Sequence, residues 1–307
     1  MPKHLLRIII LLLIYVNVAA CASTTTQHKG LTTDEHQAVH RSTNLVQAVT
    51  DHSQRVIGKI DWQQGRIYSY GHGHMRSPAP YTVSHGRQYA LDDARATMLD
   101  VIRNLQVDAF SQASRFLRYA VINRYLNERV KQANIEHTLQ YHDDDYHVTV
   151  SLPLLGDNGL TQLFIPTLLT RTREKNHLAN DFYWEKYEQT NIWPDNYSSV
   201  IIDARGLNYR PAMFASIVDK HGRSLYSLDN VDPNAAMFML CEYTDSMHAA
   251  QRSSRAGSTP LIIKAQMAED FSSVNYVLAQ EDAEKLITAD SRGRFLHTAR
   301  VIVVIDD

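Results

Sequence analysis

Apolar residues recur along this chain in two rhythms, and each predicts a different kind of element. Leu91, Ala94, Met98, Val101, Ile102 and Leu105 follow one another at three- and four-residue steps, with Asp92, Asp93, Arg95, Asp100 and Arg103 on the other side. That spacing describes one amphipathic helix docked on a core. A second helical pattern runs through Phe116, Leu117, Ala120, Val121 and Tyr125. Before these, Val56–Ile60 and Gly65–Tyr70 flank Asp61-Trp-Gln-Gln64 and predict a hairpin with a glycine at its turn. After them come two strand patterns, His137–Tyr141 and Tyr146–Leu152, separated by Asp143-Asp144-Asp145 and closed by Pro153 and Gly156.

Residues 157–195 read as a partly helical connector rich in aromatics (Phe182, Tyr183, Trp184, Tyr187, Trp193). The pattern then restarts. Val200-Ile-Ile202 predicts a buried strand, and Ser216–Val218 and Ser224–Tyr226 flank the turn Asp219-Lys-His-Gly222. A helical stretch is expected over 234–252. Strands are expected at 261–265, 274–278 and 298–305, with a short helix at 281–288. Hairpins rather than βαβ units predict an α+β fold with mixed or antiparallel sheets.

The ends of the chain change the picture more than its composition does. A cationic start with Lys3 and Arg7, an apolar run from Ile8 to Val16, and small residues before Cys21 are the parts of an export signal. The run falls short of the ~20 residues that cross a bilayer. Val18-Ala19-Ala20-Cys21 resembles the bacterial lipobox. That resemblance implies cleavage after Ala20, a diacylglycerol (palmitate-type) chain on the Cys21 sulfur and an N-acyl chain on its amine. No other cofactor is expected. Ala22 in place of Asp implies the outer membrane, with the body on its periplasmic face. Residues 21–52, dominated by Ser, Thr, Gln, His and Asp, are expected to be a flexible leash.

Without residues 1–20 the 31 basic side chains lose Lys3 and Arg7, leaving 29 against 33 acidic ones. Such a balance gives no footprint for nucleic acid. With Cys21 lipidated, Cys241 has no partner in the chain. Its apolar neighbourhood makes it a small buried hydrophobe.

Three stretches carry a family resemblance: Gly58-Lys-Ile-Asp-Trp62 with Gly65–Gly73, Ala90–Ala96 continuing to Leu105, and Val148–Gly156. Together they resemble the LPP-twenty outer-membrane lipoprotein family, which implies helices packed on a small antiparallel sheet over residues 53–156. The region 196–307, with Ile202-Asp-Ala-Arg-Gly-Leu207 and Ile217–Gly222, looks like the C-terminal extension of longer relatives. The resemblance implies an envelope protein, anchored to the membrane by lipid, that binds other envelope proteins or itself. Some relatives serve the flagellar basal body, which gives an alternative reading as a scaffold there.

Candidate chemistry is sparse, and no enzyme is expected. Gly-x-Ser-x-Gly, His-Glu-x-x-His, a Walker loop and a full dinucleotide fingerprint are all missing. His72 and His74, two apart on a strand, share a face and could both reach one metal, but no carboxylate or cysteine lies at a ligand-like spacing and no metal is expected. Asp203 and Arg205 at a strand end offer either a polar-ligand site, of a binding protein or enzyme, or an internal ion pair with Gly206 making the turn. Asp92, Asp93 and Arg95 are expected to open a helix and complement its dipole. The three aspartates at 143–145 are expected to form a solvated turn rather than a calcium loop.

Overall fold

The computed structural model describes residues 43, 45–74, 82–141, 145–175, 196–267 and 273–306. The fold is α+β. Strands β1 (Val46–Thr50), β2 (Val56–Asp61), β3 (Arg66–His74), β6 (Asn134–Tyr141) and β7 (Asp145–Pro153) form one sheet in the order β1-β2-β3-β7-β6. Every neighbouring pair in it is antiparallel. Helix α1 (Thr82–Arg103) lies across one face, burying Ala90, Ala94, Met98, Val101 and Ile102. Those are the positions its periodicity predicts, with Ala90 added and Leu91 only half-buried.

The approach of α1 to β3 is unusually close, because β3 alternates glycine and histidine. Gly71 and Gly73 face the helix: a Cβ on Gly73 would stand 2.2 Å from the Gly86 carbonyl oxygen. Ser69 on the same side donates its hydroxyl to the Ala94 carbonyl at 2.6 Å. With a period of two, the intervening residues Tyr68, Tyr70 and His72 point to the other face.

A short pair, β4 (Gln106–Asp108) and β5 (Ser111–Gln112), leads into helix α2 (Ala120–Lys131). The sequence pattern gave α2 the wrong phase. Its buried side is Ile122, Leu126 and Val130, while Val121 and Tyr125 are exposed. The 3-10 turn at Ala113–Arg115 separates Phe116 from the helix proper, so a single period does not run through both. Helix α3 (Thr161–Lys175) follows; the aromatic part of the expected connector, 176–195, lies outside the described residues.

The C-terminal region holds two sheets. Strands β9 (Ile217–Asp219) and β10 (Ser224–Tyr226) make the expected antiparallel hairpin, and β13 (Tyr276–Leu278) joins β9 in parallel. The larger sheet has the order β11-β14-β8-β12, built from β8 (Ser199–Asp203), β11 (Glu242–Thr244), β12 (Pro260–Lys264) and β14 (Val301–Val304). All of its pairings are parallel. The continuous helix expected over 234–252 is instead helix α4 (Pro233–Ala236), strand β11 and helix α5 (Met247–Arg252). Asp232 caps α4 and Ser246 caps α5, each through its side-chain oxygen, so two helix starts bracket a strand. Helix α5 covers Ile201, Ile302 and Val304 on one face of the parallel sheet. Helix α6 (Gln280–Gly293) buries Ala283, Leu286 and Ile287 in the main core.

The other face of that parallel sheet joins the same core as the N-terminal sheet. One contiguous apolar cluster runs from Leu45 to Ile305. Trp62 of the first region meets Tyr243 of the second edge to face, with ring centroids 6.1 Å apart. The main chain crosses over as well. Met213 and Phe214 donate their N–H groups to the Gln106 and Val107 carbonyls at 3.1 and 2.8 Å, and Thr161 donates its hydroxyl to the Met237 carbonyl at 2.6 Å. The expected leash ends earlier than residue 52. Leu45 and Val49 are buried, and β1 is the edge strand of the sheet, because two apolar side chains and a ladder with β2 suffice to order it. Cys21 and the rest of the leash lie outside the described residues.

Candidate functional site

Strand β8 ends where its parallel neighbours also end, a location at which open α/β sheets commonly bind ligands. Asp203 closes the strand, Arg205 and Gly206 make the turn, and Lys264 lies in register beside Asp203 on β12. The geometry there is self-contained. Arg205 donates from Nε to Asp203 Oδ1 and from a terminal guanidinium nitrogen to Oδ2, both at 2.8 Å. Its backbone N–H adds a third, longer bond to Oδ1 at 3.3 Å. These bonds, led by the guanidinium, hold the Asp203 carboxyl below its usual range, and the charge of Lys264 acts in the same direction.

Gly206 takes the left-handed conformation (φ 76°), which favours glycine, and donates its N–H to Asp306 Oδ2 at 2.5 Å. Both oxygens of Asp203 and the fork of Arg205 are therefore spent on each other. A polar ligand would have to break a bidentate pair to bind at this edge. Of the two roles the sequence left open for Asp203 and Arg205, the internal ion pair is the one this geometry makes.

The histidines give a different result. His72 lies directly opposite His147 in the β3–β7 ladder, a pairing the linear spacing hides. Their rings stand edge to face with centroids 4.2 Å apart, and His72 Nδ1 is 3.4 Å from His147 Nε2. His74 is opposite Asp145 in the same register. Partial loss of water around the His72 ring, followed by the nearby charge of Arg55, lowers its pKa; Asp93 and Asp145 pull the other way. No group of three or more His, Cys, Asp or Glu side chains gathers as a metal site among the described residues.

The remaining candidates have structural duties. Helix α1 starts at Thr82, so Asp92, Asp93 and Arg95 lie in its middle and not in the first turn. Asp93 instead accepts the His72 N–H at 2.9 Å, and Arg95 donates to the Lys131 carbonyl at 2.9 Å. Asp145 is the first residue of β7, while Asp143 and Asp144 lie outside the described residues. Cys241 is buried, and burial pushes its thiol up to about 12, so at neutral pH it is not a nucleophile. Around it, Tyr226 donates to the Leu240 carbonyl at 2.8 Å. Tyr243 donates to the Ala212 carbonyl at 2.8 Å and accepts the Ala212 N–H at 3.1 Å.

One surface feature was not singled out by the sequence. Phe110, Tyr119, Val121 and Tyr125 are 78, 41, 59 and 53% exposed within sixteen residues. The Arg118 and Arg124 guanidinium groups lie over the Tyr119 and Tyr125 rings at 5.8 and 5.7 Å. Exposed aromatic side chains accompanied by arginine are the composition enriched at protein interfaces. The phase of α2 was the missing signal: once its buried side is 122, 126 and 130, positions 121 and 125 must face outward.

No curated protein matches the chain. Over residues 199–307, from the first residue of β8 onward, the chain is similar to the family described as Treponema pallidum Tp0624, second domain.

Proposed function

We propose that this protein is a non-catalytic, lipid-anchored envelope protein that acts as a structural or protein-interaction module. Its anchor is the lipidated Cys21, its place the periplasmic face of the outer membrane, and its partners other envelope proteins or further copies of itself. The observation that carries the interaction reading is the aromatic and arginine surface at 110–125, set on a body whose two regions share one core. Large side chains exposed on a rigid support offer area for association at little ordering cost. The lipobox-like tetrad and the LPP-twenty resemblance over 56–156 support the anchored half of the reading. Among the described residues no helix is long and apolar enough to cross a membrane.

The test separates the two halves. Carbonate-washed membranes should retain the wild-type protein and lose the Cys21→Ser form; retention of both would remove the lipid anchor. Crosslinking in detergent-solubilised envelopes should then give defined adducts that a Val121→Asp, Tyr125→Ser double variant lacks. Unchanged adducts would remove the 110–125 surface from the interface.

A further inference from the structure

We propose that His72 and His147 form a two-histidine site for a divalent transition-metal ion of the zinc or copper kind, on the sheet face away from α1. Zinc binds imidazole nitrogen at ~2.0–2.1 Å, and at a tetrahedral angle two such ligands stand roughly 3.3–3.4 Å apart. His72 Nδ1 and His147 Nε2 are already 3.4 Å apart. The separation of the two nitrogens is thus already that of two ligands of one ion.

The backbone that sets this spacing is stiff. Gly71 and Gly73, on either side of His72, are pressed against α1, so β3 cannot slide or turn without a clash with the Ala90 and Gly86 carbonyls. The His72 N–H is held by the Asp93 carboxylate at 2.9 Å, and the nine-pair register of β3 with β7 fixes His147 opposite. Ligands carried on paired strands are held better than ligands on loops. Two carboxylates lie close enough to act on a bound cation. Asp93 and Asp145 both act on His72, and the opposing Arg55 is already engaged with Asp51 at 3.1 Å. Imidazole pairs suit zinc, copper and nickel rather than calcium or magnesium. The competing arrangement is a plain imidazole–imidazole hydrogen bond, in which one proton occupies the place of the ion.

The full-length chain in detergent, titrated calorimetrically with zinc chloride, distinguishes the two. The expected result is one zinc equivalent bound, weakened at least about tenfold by His72→Ala and by His147→Ala, since even outer-shell partners of a metal ligand are worth that much. His221→Ala, on the turn between β9 and β10, should bind as wild type. With copper(II), electron paramagnetic resonance should show two coupled imidazole nitrogens, falling to one in either variant. His72→Gln keeps a hydrogen-bonding group at the position but should lose the metal. Absence of zinc binding, or binding equal in wild type and both alanine variants, would overturn the site and leave the hydrogen bond.

Discussion

Gly71 and Ala90 lie backbone against backbone: a Cβ on Gly71 would stand 2.0 Å from the Ala90 carbonyl oxygen and 2.3 Å from the Ala94 nitrogen. Neither neighbour is a side chain that swings aside, so α1 as a whole would have to move. Gly71→Ala should therefore cost about 3 kcal/mol, the upper part of the usual overpacking range. A urea midpoint equal to wild type would show that the helix does not rest on the strand this way.

The shared core makes a cooperative prediction. Trp62 is buried against Tyr243 across the two regions, and Trp62→Ala should destabilise the protein by about 3–5 kcal/mol. In the wild type both regions should unfold together, with tryptophan fluorescence and far-ultraviolet circular dichroism giving coincident transitions. Two separated transitions in the wild type would mean that the regions fold independently.

Tyr243→Phe removes one hydroxyl and leaves both the N–H and the carbonyl of Ala212 without their partner in the interior. The expected loss is about 1–3 kcal/mol, the cost of unsatisfied buried groups rather than of lost volume. Denaturant unfolding of the single variant measures it directly.

Arg205→Ala should lower stability only slightly at neutral pH, because the pair is partly exposed. What difference there is closes on acidification. Asp203 has a lowered pKa in the folded protein, so its stabilisation is complete above its unfolded value and fades as pH falls toward the folded one. The variant should show a shallower loss of stability in that acidic range. Parallel stability profiles of variant and wild type would dissociate the carboxyl shift from Arg205.

Cys241 should resist a disulfide reagent in the folded protein at pH 8 and react only at the rate of unfolding. A thiol pushed to about 12 supplies almost no thiolate there, and the reagent has no path to it. Fast, denaturant-independent labelling would contradict its burial.

The parts of the fold legible from the sequence were those written in local periodicity. The 56–70 hairpin, the α1 stripe, the 217–226 hairpin and the hydrophobic runs of β8, β12 and β14 are all present where the pattern puts them. What local pattern cannot carry is pairing at a distance. Glu242–Thr244 is three residues long and sits between two helical stretches, so nothing short-range marks it as a strand. Its identity comes from Ile302, Val303 and Val304 beside it, sixty residues away. The parallel character of the larger sheet is hidden for the same reason, since β8 meets β12 and β14 only through long-range pairing. The same reason hid the better histidine pair. His72 and His74 are neighbours in the sequence, but the partner of His72 is His147, found only through the β3–β7 register. Asp203 and Arg205 were legible as residues and ambiguous as chemistry, and only the bidentate geometry decides between their two readings.

The similarity to the Tp0624 second domain begins at Ser199, yet no boundary of the core falls there. Val200, Ile202, Leu261 and Val303 belong to the same cluster as Leu45, Trp62 and Phe164. The stretch that carries the similarity is in this protein only part of the unit that folds. Residues before 199 cover one face of the β8–β14 sheet. Substitutions along that face are then constrained by a region outside the stretch, and grafting residues 199–307 onto another protein means supplying a replacement for Trp62.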